Sequence, residues 1–377
     1  MDFAWTEDDA RYRQEVREFL AQTLGPDWHG YDQSDPERFE RESKQFCAAM
    51  AERGWLNQNW PKEYGGQDAS PWRHAILSEE VWPRGEPRGS QYMNVNWIGP
   101  AIMRYGTEQQ KRYFLTRISR GDITWCQGFS EPGAGSDLAA LRTRAVRDGD
   151  EYVVNGEKIW TSHTSIAEYM FVLVRTSTRQ RKSDGITCLL VPVDTPGLEI
   201  RKVEGFVGES AFSNPVFTNM RVPVSARLGE EDKGWEIVRY ALSFERVGVA
   251  HHQTAENTLN AIAEAANERG LGDDPLVQAK LGEAWAIVQA ARMLYYRVVD
   301  LRAHDAPPSP DANISRVAGN MAHSAVADAA ILVYGEDGLE SGSGGDVRRS
   351  MAYSVTAGTT EIQLDQIATR YLRLKRL

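Results

Sequence analysis

A glycine-rich string in the middle of the chain is the first group of residues suited to ligand binding. It reads GFSEPGAGSD from Gly128 to Asp137, follows a β-like run and is preceded by Gln127. Closely spaced glycines bring backbone N–H groups near a ligand, and the serine hydroxyls can donate hydrogen bonds. The string lacks the Gly-Lys-Ser/Thr ending of a P-loop, and it precedes a β-rich segment rather than the helix of a dinucleotide-binding fingerprint. Taken alone, it is more typical of a tight surface turn than of a binding site.

A second string, NGEKIWTS from Asn155 to Ser162, places an aromatic ring next to hydroxyl groups. Trp160 stands directly before Thr161 and Ser162, at the end of a predicted strand. Such a trio can form a wall beside a planar ring system, with the hydroxyls donating to its heteroatoms. A core tryptophan beside capping hydroxyls is the alternative interpretation.

A third feature is Glu245, a carboxylate on an apolar helix face. The spacing predicts one helix over 235–268, and Glu245 lies on its inward stripe. Burying an unpaired carboxylate is costly, so this position predicts a partner. A buried ion pair and a catalytic carboxylate fit the pattern about equally well. The other members of the stripe are Trp235, Val238, Leu242, Val249, His252 and Leu259.

The last feature with chemical potential is the turn AGTTEIQ at 357–363. A Gly-Thr turn that leads into a helix N-terminus favours an anion such as phosphate. An ordinary capped helix explains the turn as well, because Thr360 and Gln363 have capping-box spacing. His251 and His252, on the same predicted helix as Glu245, have no third ligand at metal spacing, so we expect no metal site.

Three segments with different hydrophobic periodicity must position these strings. Residues 1–120 have helical spacing, and Thr6 can cap a first helix. Residues 121–230 alternate short β-rich runs with hairpin-type turns, which predicts a β-sandwich or barrel. Helical spacing returns over 231–377 and predicts an antiparallel four-helix bundle.

The composition excludes several classes of protein. The chain has 377 residues, 41% hydrophobic and 25% charged, as in an ordinary folded protein of two or three domains. Its formal net charge of −10 argues against a nucleic-acid partner. No apolar run approaches the ~18 residues of a membrane span, and the N-terminus resembles no targeting signal. Widely spaced Cys47, Cys126 and Cys188 predict a reducing, cytoplasmic location without disulfides.

Together the strings resemble the acyl-CoA dehydrogenase family over nearly the whole chain. GFSEPGAGSDLAALRTRA and NGEKIWTSHTSIAEYMFVLVRT resemble its two flavin-loop signatures, and AGTTEIQLDQIATR resembles its C-terminal motif. GITCLLVPVDTPG and LGEEDKGWEI match landmarks between them. The resemblance implies FAD-dependent α,β-desaturation of an acyl-CoA thioester. It also implies an N-terminal helical domain, a middle β-barrel or sandwich domain and a C-terminal four-helix bundle.

The resemblance assigns residues to the cofactor and the substrate. Trp160 would lie beside the isoalloxazine of FAD, with Ser162 near its reactive N5. Ser136, Arg246 and Gly358 would contact the acyl-CoA, and the backbone N–H of Ala357 would donate to the thioester oxygen as negative charge develops there. The implied FAD contacts are Gln127, Phe129, Ser130, Gly135, Ser136, Trp160, Thr161, Ser162, Thr359 and Glu361.

One departure from the family pattern concerns the catalytic base. Many members carry a glutamate where this chain has Ala357, and a methyl group cannot take a proton. A minority place the base on the first helix of the bundle, and Glu245 matches that position. We therefore expect Glu245 to remove the α-proton while the β-hydrogen leaves as hydride to flavin N5.

A second departure lies at the far end of FAD. Gln278 stands where the family usually has an arginine that reaches the neighbouring subunit's cofactor, and Leu332 stands where a glutamine is expected. We therefore expect a tetramer, of the α2β2 kind found in some members, in which a related subunit supplies these groups. The resemblance also implies an electron-transfer flavoprotein as electron acceptor.

Two alternatives to an acyl-CoA dehydrogenase follow from the same residues. Ala357 favours a non-catalytic subunit of such a complex, whereas Glu245 on the inward stripe argues against it. A flavin oxidase or monooxygenase with the same fold, acting on a substrate without CoA, is the other. A base on the first bundle helix is compatible with branched, cyclic or otherwise bulky acyl groups.

Overall fold

The structure is a computed structural model that describes residues 5–25, 28, 30, 35–205, 208–245, 249–306, 309–339, 346–356 and 358–375. It describes the backbone alone at 36, 204–205, 208–211, 243–245, 339, 346 and 348–349. The order of helices, strands and helices confirms the predicted fold class. The predicted domains 1–120, 121–230 and 231–377 remain a prediction.

The chain is helical at its start, forms strands in its middle and returns to helices toward its end. The helices are α1 (Glu7–Thr23), α2 (Pro36–Glu52), α3 (Pro71–Val81), α4 (Gln91–Met93), α5 (Gly99–Tyr105), α6 (Glu108–Gln110), α7 (Thr116–Ser119), α8 (Gly234–Glu245), α9 (His251–Glu268), α10 (Pro275–Ala303), α11 (Asp311–Tyr334), α12 (Asp346–Val355) and α13 (Thr360–Gln366). The strands are β1 (Trp125–Gly128), β2 (Arg144–Asp148), β3 (Glu151–Glu157), β4 (Thr161–Ser162), β5 (Tyr169–Arg175), β6 (Ile186–Pro192), β7 (Leu198–Gly205), β8 (Gly208–Pro223) and β9 (Arg227–Leu228). Over the described ranges, no helix is long and apolar enough to cross a membrane.

The chain divides into two compact units. Unit 1 comprises Met1–Gly25, Ser70–Gly85 and Arg246–Leu377, and unit 2 comprises Pro26–Ala69 and Glu86–Glu245. In unit 1, α9, α10 and α11 pack around an aliphatic core, α12 and α13 pack on α11, and α3 packs on both α1 and α10. Much of that core consists of Leu259, Ile262, Val277, Val288, Val326 and Val333.

The first helix begins as the sequence predicts. The hydroxyl of Thr6 accepts a hydrogen bond from the Asp9 N–H at 3.1 Å, and the Asp9 carboxylate accepts one from the Thr6 N–H at 3.1 Å. This reciprocal capping satisfies two backbone donors that a helix start leaves unpaired. The apolar face of the helix is buried; it consists of Tyr12, Val16, Phe19 and Leu20.

The predicted single helix over 235–268 is wrong. Helix α8 ends at Glu245 and α9 begins at His251, and the N-cap Ala250 leaves the helical region with φ −80° and ψ 64°. The intervening sequence contains Val247, Gly248 and Val249, which are poor helix formers. The stripe that places Glu245 in line with His252 therefore does not run through one continuous helix.

Unit 2 contains one connected sheet of strands in the order β4-β8-β3-β2-β5-β6-β9, with β1 beside β5 and β7 beside β8. Strand β1 runs parallel to β5, with Gln127 opposite Phe171, and so fixes where the glycine-rich string starts. The buried side of the sheet carries Tyr152, Val154, Met170, Val172, Leu189, Val191, Phe217 and Met220.

The three cysteines are buried and free, and all belong to unit 2. Cys47 lies on α2, Cys126 on β1 and Cys188 on β6. Burial raises the pKa of each thiol above its ordinary value. Thiolate is the reactive form of cysteine, so these thiols are inert in the folded protein.

A buried carboxylate joins three helices of unit 1. Glu79 of α3 is 2% exposed and lies 2.9 Å from Nε2 of His252 on α9 and 2.7 Å from Nη2 of Arg13 on α1. Burial alone would raise the pKa of Glu79, but hydrogen bonds and charge attraction from His252 and Arg13 outweigh it and hold that pKa at about 2. The carboxylate is therefore ionised at neutral pH, and its partners come from helices far apart in the sequence.

We expect Glu79→Gln to lower the free energy of unfolding by about 3 kcal/mol at pH 7, because it removes the charge that Arg13 and His252 share. Since the folded-state pKa lies below the ordinary value, this stabilisation is complete above about pH 4.5 and is lost as pH falls toward 2. Urea denaturation of both proteins between pH 7 and pH 2.5 measures the difference. The matched control is Asp8→Asn, which removes an exposed pair with Arg11 and should change little. A difference that is absent at pH 7, or constant with pH, would contradict the assignment.

Candidate active site

The predicted site residues fall in both units. Gln127 through Ser136 and Trp160 through Ser162 belong to unit 2, whereas Gly358, Thr359 and Glu361 belong to unit 1. Glu245 is the last residue of α8, and its side chain lies outside the described residues. Arg246 and Ala357 also lie outside them.

In unit 2, Gln127 is held by a tryptophan to which the sequence motifs assign no role. Trp97 Nε1 donates to the Gln127 side-chain oxygen at 2.9 Å. This contact fixes the orientation of the side-chain amide, because the amide oxygen can accept the hydrogen bond and its nitrogen cannot. Trp97 is buried, and its role depends on a contact between residues thirty positions apart.

The glycine-rich string forms a tight turn. Glu131 and Ala134 exchange backbone hydrogen bonds of 3.1 and 2.9 Å. Gly133, between them in the sequence, and Gly135, directly after them, are exposed. A Cβ added at either glycine would meet no described atom within 4 Å, so open space lies above both. Ser136 is exposed in the same stretch, whereas Phe129 is buried, with its ring 5.4 Å from Phe171.

Trp160 has an unusual backbone and an exposed ring. Its φ is +60°, in the left-handed region that costs a tryptophan conformational energy. The indole is 55% exposed and contacts Phe212 edge-on at 5.8 Å. Trp160 is therefore exposed, and the alternative interpretation of a core tryptophan is wrong. The strained backbone at this turn directs its large aromatic ring toward solvent.

The two residues after Trp160 begin a short strand beside it. Thr161 and Ser162 form β4, which pairs with β8 opposite Ser213 and Phe212. The Thr161 hydroxyl is buried and has no hydrogen-bond partner among the described residues. Buried hydroxyls are normally paired, so this one fits a polar ligand atom. An exposed indole, an unpaired hydroxyl and an open glycine turn fit a planar, polar cofactor such as FAD.

In unit 1, the turn before α13 is ordered by its own side chains. Gly358 has φ +89°, and its carbonyl accepts a hydrogen bond from Gln363 Nε2 at 3.2 Å. The N-cap of α13 is Thr359, whose hydroxyl accepts from the Ile362 N–H at 3.3 Å. The predicted capping role of Thr360 is therefore wrong by one residue. Glu361 follows in the first turn of α13 and is exposed.

A row of buried polar side chains on α11 holds this turn in place. Asn313, Arg316 and Asn320 recur at steps of three and four, so they lie on one face of the helix. Asn313 donates to Gln363 at 2.5 Å, and Asn320 donates to the Thr360 hydroxyl at 3.0 Å. The sequence interpretation missed this row; its signal was three polar residues with larger side chains at helical spacing, on one face of the helix.

Arg316 is the central member of the row. It is 4% exposed and donates to the carbonyls of Tyr353 and Thr356, each at 3.0 Å, and to the Thr356 hydroxyl at 3.1 Å. Both carbonyls lie at the C-terminal end of α12, where the last carbonyls of a helix have no partner within the helix. Thr356 directly precedes Ala357, the residue whose N–H is predicted to bind the thioester.

Two neutral histidines surround the Arg316 guanidinium. It donates to Nε2 of His251, whose Nδ1 lies 3.3 Å from Nε2 of His323. Burial and, next, the Arg316 charge hold the pKa of His251 well below its ordinary value and lower the pKa of His323 to about 3. Among the described residues, no group of three or more His, Cys, Asp or Glu could hold a metal ion.

The two positions that depart from the family pattern at the predicted far end of FAD have ordinary surroundings. Gln278 is exposed on α10 and donates to the Gly272 carbonyl at 2.9 Å. Leu332 is partly buried and packs against the core of the bundle. Neither position carries a cationic side chain.

Sequence models of three domains of one family match the chain in order. The N-terminal, middle and C-terminal domains of acyl-CoA dehydrogenase match residues 6–122, 126–220 and 232–372. The chain belongs to the acyl-CoA dehydrogenase family. Members of the acyl-CoA dehydrogenase family are FAD flavoprotein oxidoreductases of fatty-acid and lipid β-oxidation, and acyl-CoA dehydrogenation is their general activity.

Individual acyl-CoA dehydrogenases match most of the chain. FadE26 of Mycobacterium tuberculosis is 36% identical over 333 residues, covering 85% of this chain and 82% of that protein. The mitochondrial short-chain specific enzyme of Rattus norvegicus is 31% identical over 338 residues, covering 86% and 81%. The solved Tcur3481-Tcur3483 steroid ACAD has a TM-score of 0.89 at 30% identity, and the ChsE4-ChsE5 complex from Mycobacterium tuberculosis has 0.87 at 32%. Both structural matches cover 100% of each chain.

We expect Arg316→Met to lower the free energy of unfolding by about 3 kcal/mol, because it removes the buried guanidinium that joins the carbonyls of Tyr353 and Thr356 to α11. Amide exchange at Gln363, whose N–H donates to the Thr359 carbonyl at 3.0 Å, should also accelerate, since the turn loses its attachment to α11. Chemical denaturation and hydrogen exchange measure the two effects. Arg269→Met is the matched control, because Arg269 forms a half-exposed pair with Asp337 at 3.2 Å and contacts the Tyr334 ring. Equal effects of the two variants would argue against the role given to Arg316.

Proposed function

We propose that this protein desaturates an acyl-CoA thioester between its α and β carbons, with FAD as its cofactor. The observation that carries the cofactor assignment is the exposed Trp160 ring beside the buried, unpaired Thr161 hydroxyl. When bound, FAD would accept the β-hydrogen of the substrate as hydride. The contacts proposed for it are Gln127, Phe129, Ser130, Gly135, Ser136, Trp160, Thr161, Ser162, Thr359 and Glu361.

Glu245 is the proposed base. The α-proton of a thioester is weakly acidic, so its removal needs a carboxylate near the α-carbon and stabilisation of the negative charge on the thioester oxygen. Residue 357 is alanine, which leaves Glu245 as the carboxylate that matches a base position of the family. The backbone N–H of Ala357 is the proposed donor to the oxygen, and the attachment of Thr356 to Arg316 supports this because it immobilises the preceding residue. Ser136, Arg246 and Gly358 are the proposed contacts to CoA.

We further propose that the enzyme is a tetramer with a related but different subunit. Gln278 and Leu332 offer no charged group for the far end of FAD, and Gln278 is already hydrogen-bonded to Gly272. Two similar structures each carry a pair of protein names, Tcur3481-Tcur3483 and the ChsE4-ChsE5 complex.

The Tcur3481-Tcur3483 structure is a steroid ACAD, which supports a bulky, polycyclic acyl group as the substrate of this chain. An electron-transfer flavoprotein is the proposed electron acceptor.

We expect Glu245→Gln to lower kcat by about 10²- to 10⁴-fold while FAD content stays unchanged, because the amide cannot accept the α-proton. Turnover of acyl-CoA thioesters with a dye acceptor, and flavin absorbance, both measured on the protein assembled with its related subunit, give the two quantities. Glu236→Gln is the matched control on α8: Glu236 is exposed and accepts a hydrogen bond from Tyr105 at 3.2 Å. Near-normal turnover of Glu245→Gln with FAD bound would exclude Glu245 as the base. If the wild type binds FAD but turns over no thioester, the non-catalytic subunit becomes the better interpretation.

Protein produced alone should contain FAD well below one per chain, and addition of the related subunit should restore it. Native mass spectrometry reports both assembly and FAD content. Introducing Gln278→Arg together with Leu332→Gln should raise FAD retention of the protein alone, because both changes supply polar groups to the cofactor. Ala279→Arg, on the adjacent exposed position of α10, is the charge-matched control. A stable homotetramer of wild-type chains with full FAD occupancy would overturn the proposed partner.

A further inference from the structure

A buried ion pair joins the two strings that are proposed to contact FAD. Lys158 Nζ lies 2.8 Å from the Glu131 carboxylate, and the side chains are 0% and 8% exposed. Glu131 belongs to the glycine-rich string, and Lys158 precedes Trp160 by two residues. Both lie in unit 2.

Both members of this ion pair also form hydrogen bonds with backbone groups. The Glu131 carboxylate also accepts hydrogen bonds from the N–H groups of Arg142 at 2.5 Å and Thr143 at 2.8 Å. The Lys158 ammonium also donates to the Phe129 carbonyl at 3.1 Å. Each charge therefore replaces its lost hydration with more than one hydrogen bond, which a buried ion pair requires.

A backbone hydrogen bond continues this connection toward Trp160. The Ile159 N–H donates to the Ser130 carbonyl at 2.9 Å. Residues 129–131 are thus attached to 158–159 by two Lys158 contacts and one backbone contact. Ser130 lies within the first segment, and Trp160, with its left-handed backbone, directly follows the second.

We infer that Glu131 and Lys158 are positioning residues that set the distance between Ser130 and Trp160, and thereby the pocket in which the flavin ring binds. This inference rests on the proposed function, because it assumes that both segments contact FAD. Neither side chain needs to touch the cofactor, since both act through the backbone of their own segments.

The electrostatics of the site agree with a pair that is charged at neutral pH. Burial lowers the pKa of Lys158 to about 8, against the attraction of Glu131; Arg175 lowers it further and Cys188 raises it slightly. Burial raises the pKa of Glu131, but the Lys158 charge and the hydrogen bonds outweigh it and leave that pKa below its ordinary value. Removing one partner therefore leaves the other as an isolated buried charge, which should disturb both segments.

The test compares Lys158→Met, Glu131→Gln and the double variant Lys158→Met/Glu131→Leu with wild type. Lys182→Met is the control. Lys182 pairs at 2.7 Å with Asp137, the last residue of the glycine-rich string, but the Lys182 side chain is 69% exposed. Hydrogen exchange of the Ile159 amide, measured without FAD, reports the attachment between the segments. The circular dichroism and reduction potential of the flavin, measured on the FAD-loaded enzyme with its related subunit, report the pocket.

We expect about tenfold faster Ile159 exchange and about tenfold weaker FAD binding in each single variant, with a changed flavin spectrum, and no change in Lys182→Met. The double variant should recover part of the lost stability, because no unpaired charge remains, yet keep the changed spectrum. A purely structural pair would instead give wild-type flavin signals once the double variant is folded, and that result would overturn the inference. Failure of wild type to bind FAD at all would overturn the proposed function, and with it the flavin part of this inference, even if the exchange result held.

Discussion

The need to give every buried charge a partner organises this protein. Glu79 holds together α1, α3 and α9, which come from opposite ends of the chain. Arg316 links α11 to the residues at the end of α12, and Lys158 links two loop segments that carry predicted site residues. Desolvation makes each of these groups costly unless several hydrogen bonds form together. Such contacts therefore tolerate little displacement, whereas the aliphatic cores around them tolerate more.

The sequence was informative where structure depends on neighbours along the chain. The capping of α1 by Thr6, and the change along the chain from helices to strands and back to helices, follow from local spacing and turn residues. The break between α8 and α9 was missed because an apolar stripe can be read across a short non-helical segment when its period happens to match. The cap of α13 was assigned one residue late because two threonines compete for it.

The candidate site was recognised through the resemblance to the family. Taken alone, the glycine string also fits a surface turn, and Trp160 also fits a core residue. The side chains that support them are not recognisable in this way: Trp97 beside Gln127, and the polar row on α11, are defined by partners distant in the sequence. A buried asparagine or tryptophan has many possible partners, and only the tertiary fold selects one.

The burial of all three cysteines in unit 2 has a practical consequence. Because Cys47, Cys126 and Cys188 are shielded in the folded state, alkylating reagents can reach them only when the surrounding structure opens. Unit 1 contains no cysteine, since all three lie in the other unit. The rate of thiol labelling therefore reports the local opening of unit 2 alone. It distinguishes opening of the unit that contains the sheet from opening of the helical bundle, without any added probe.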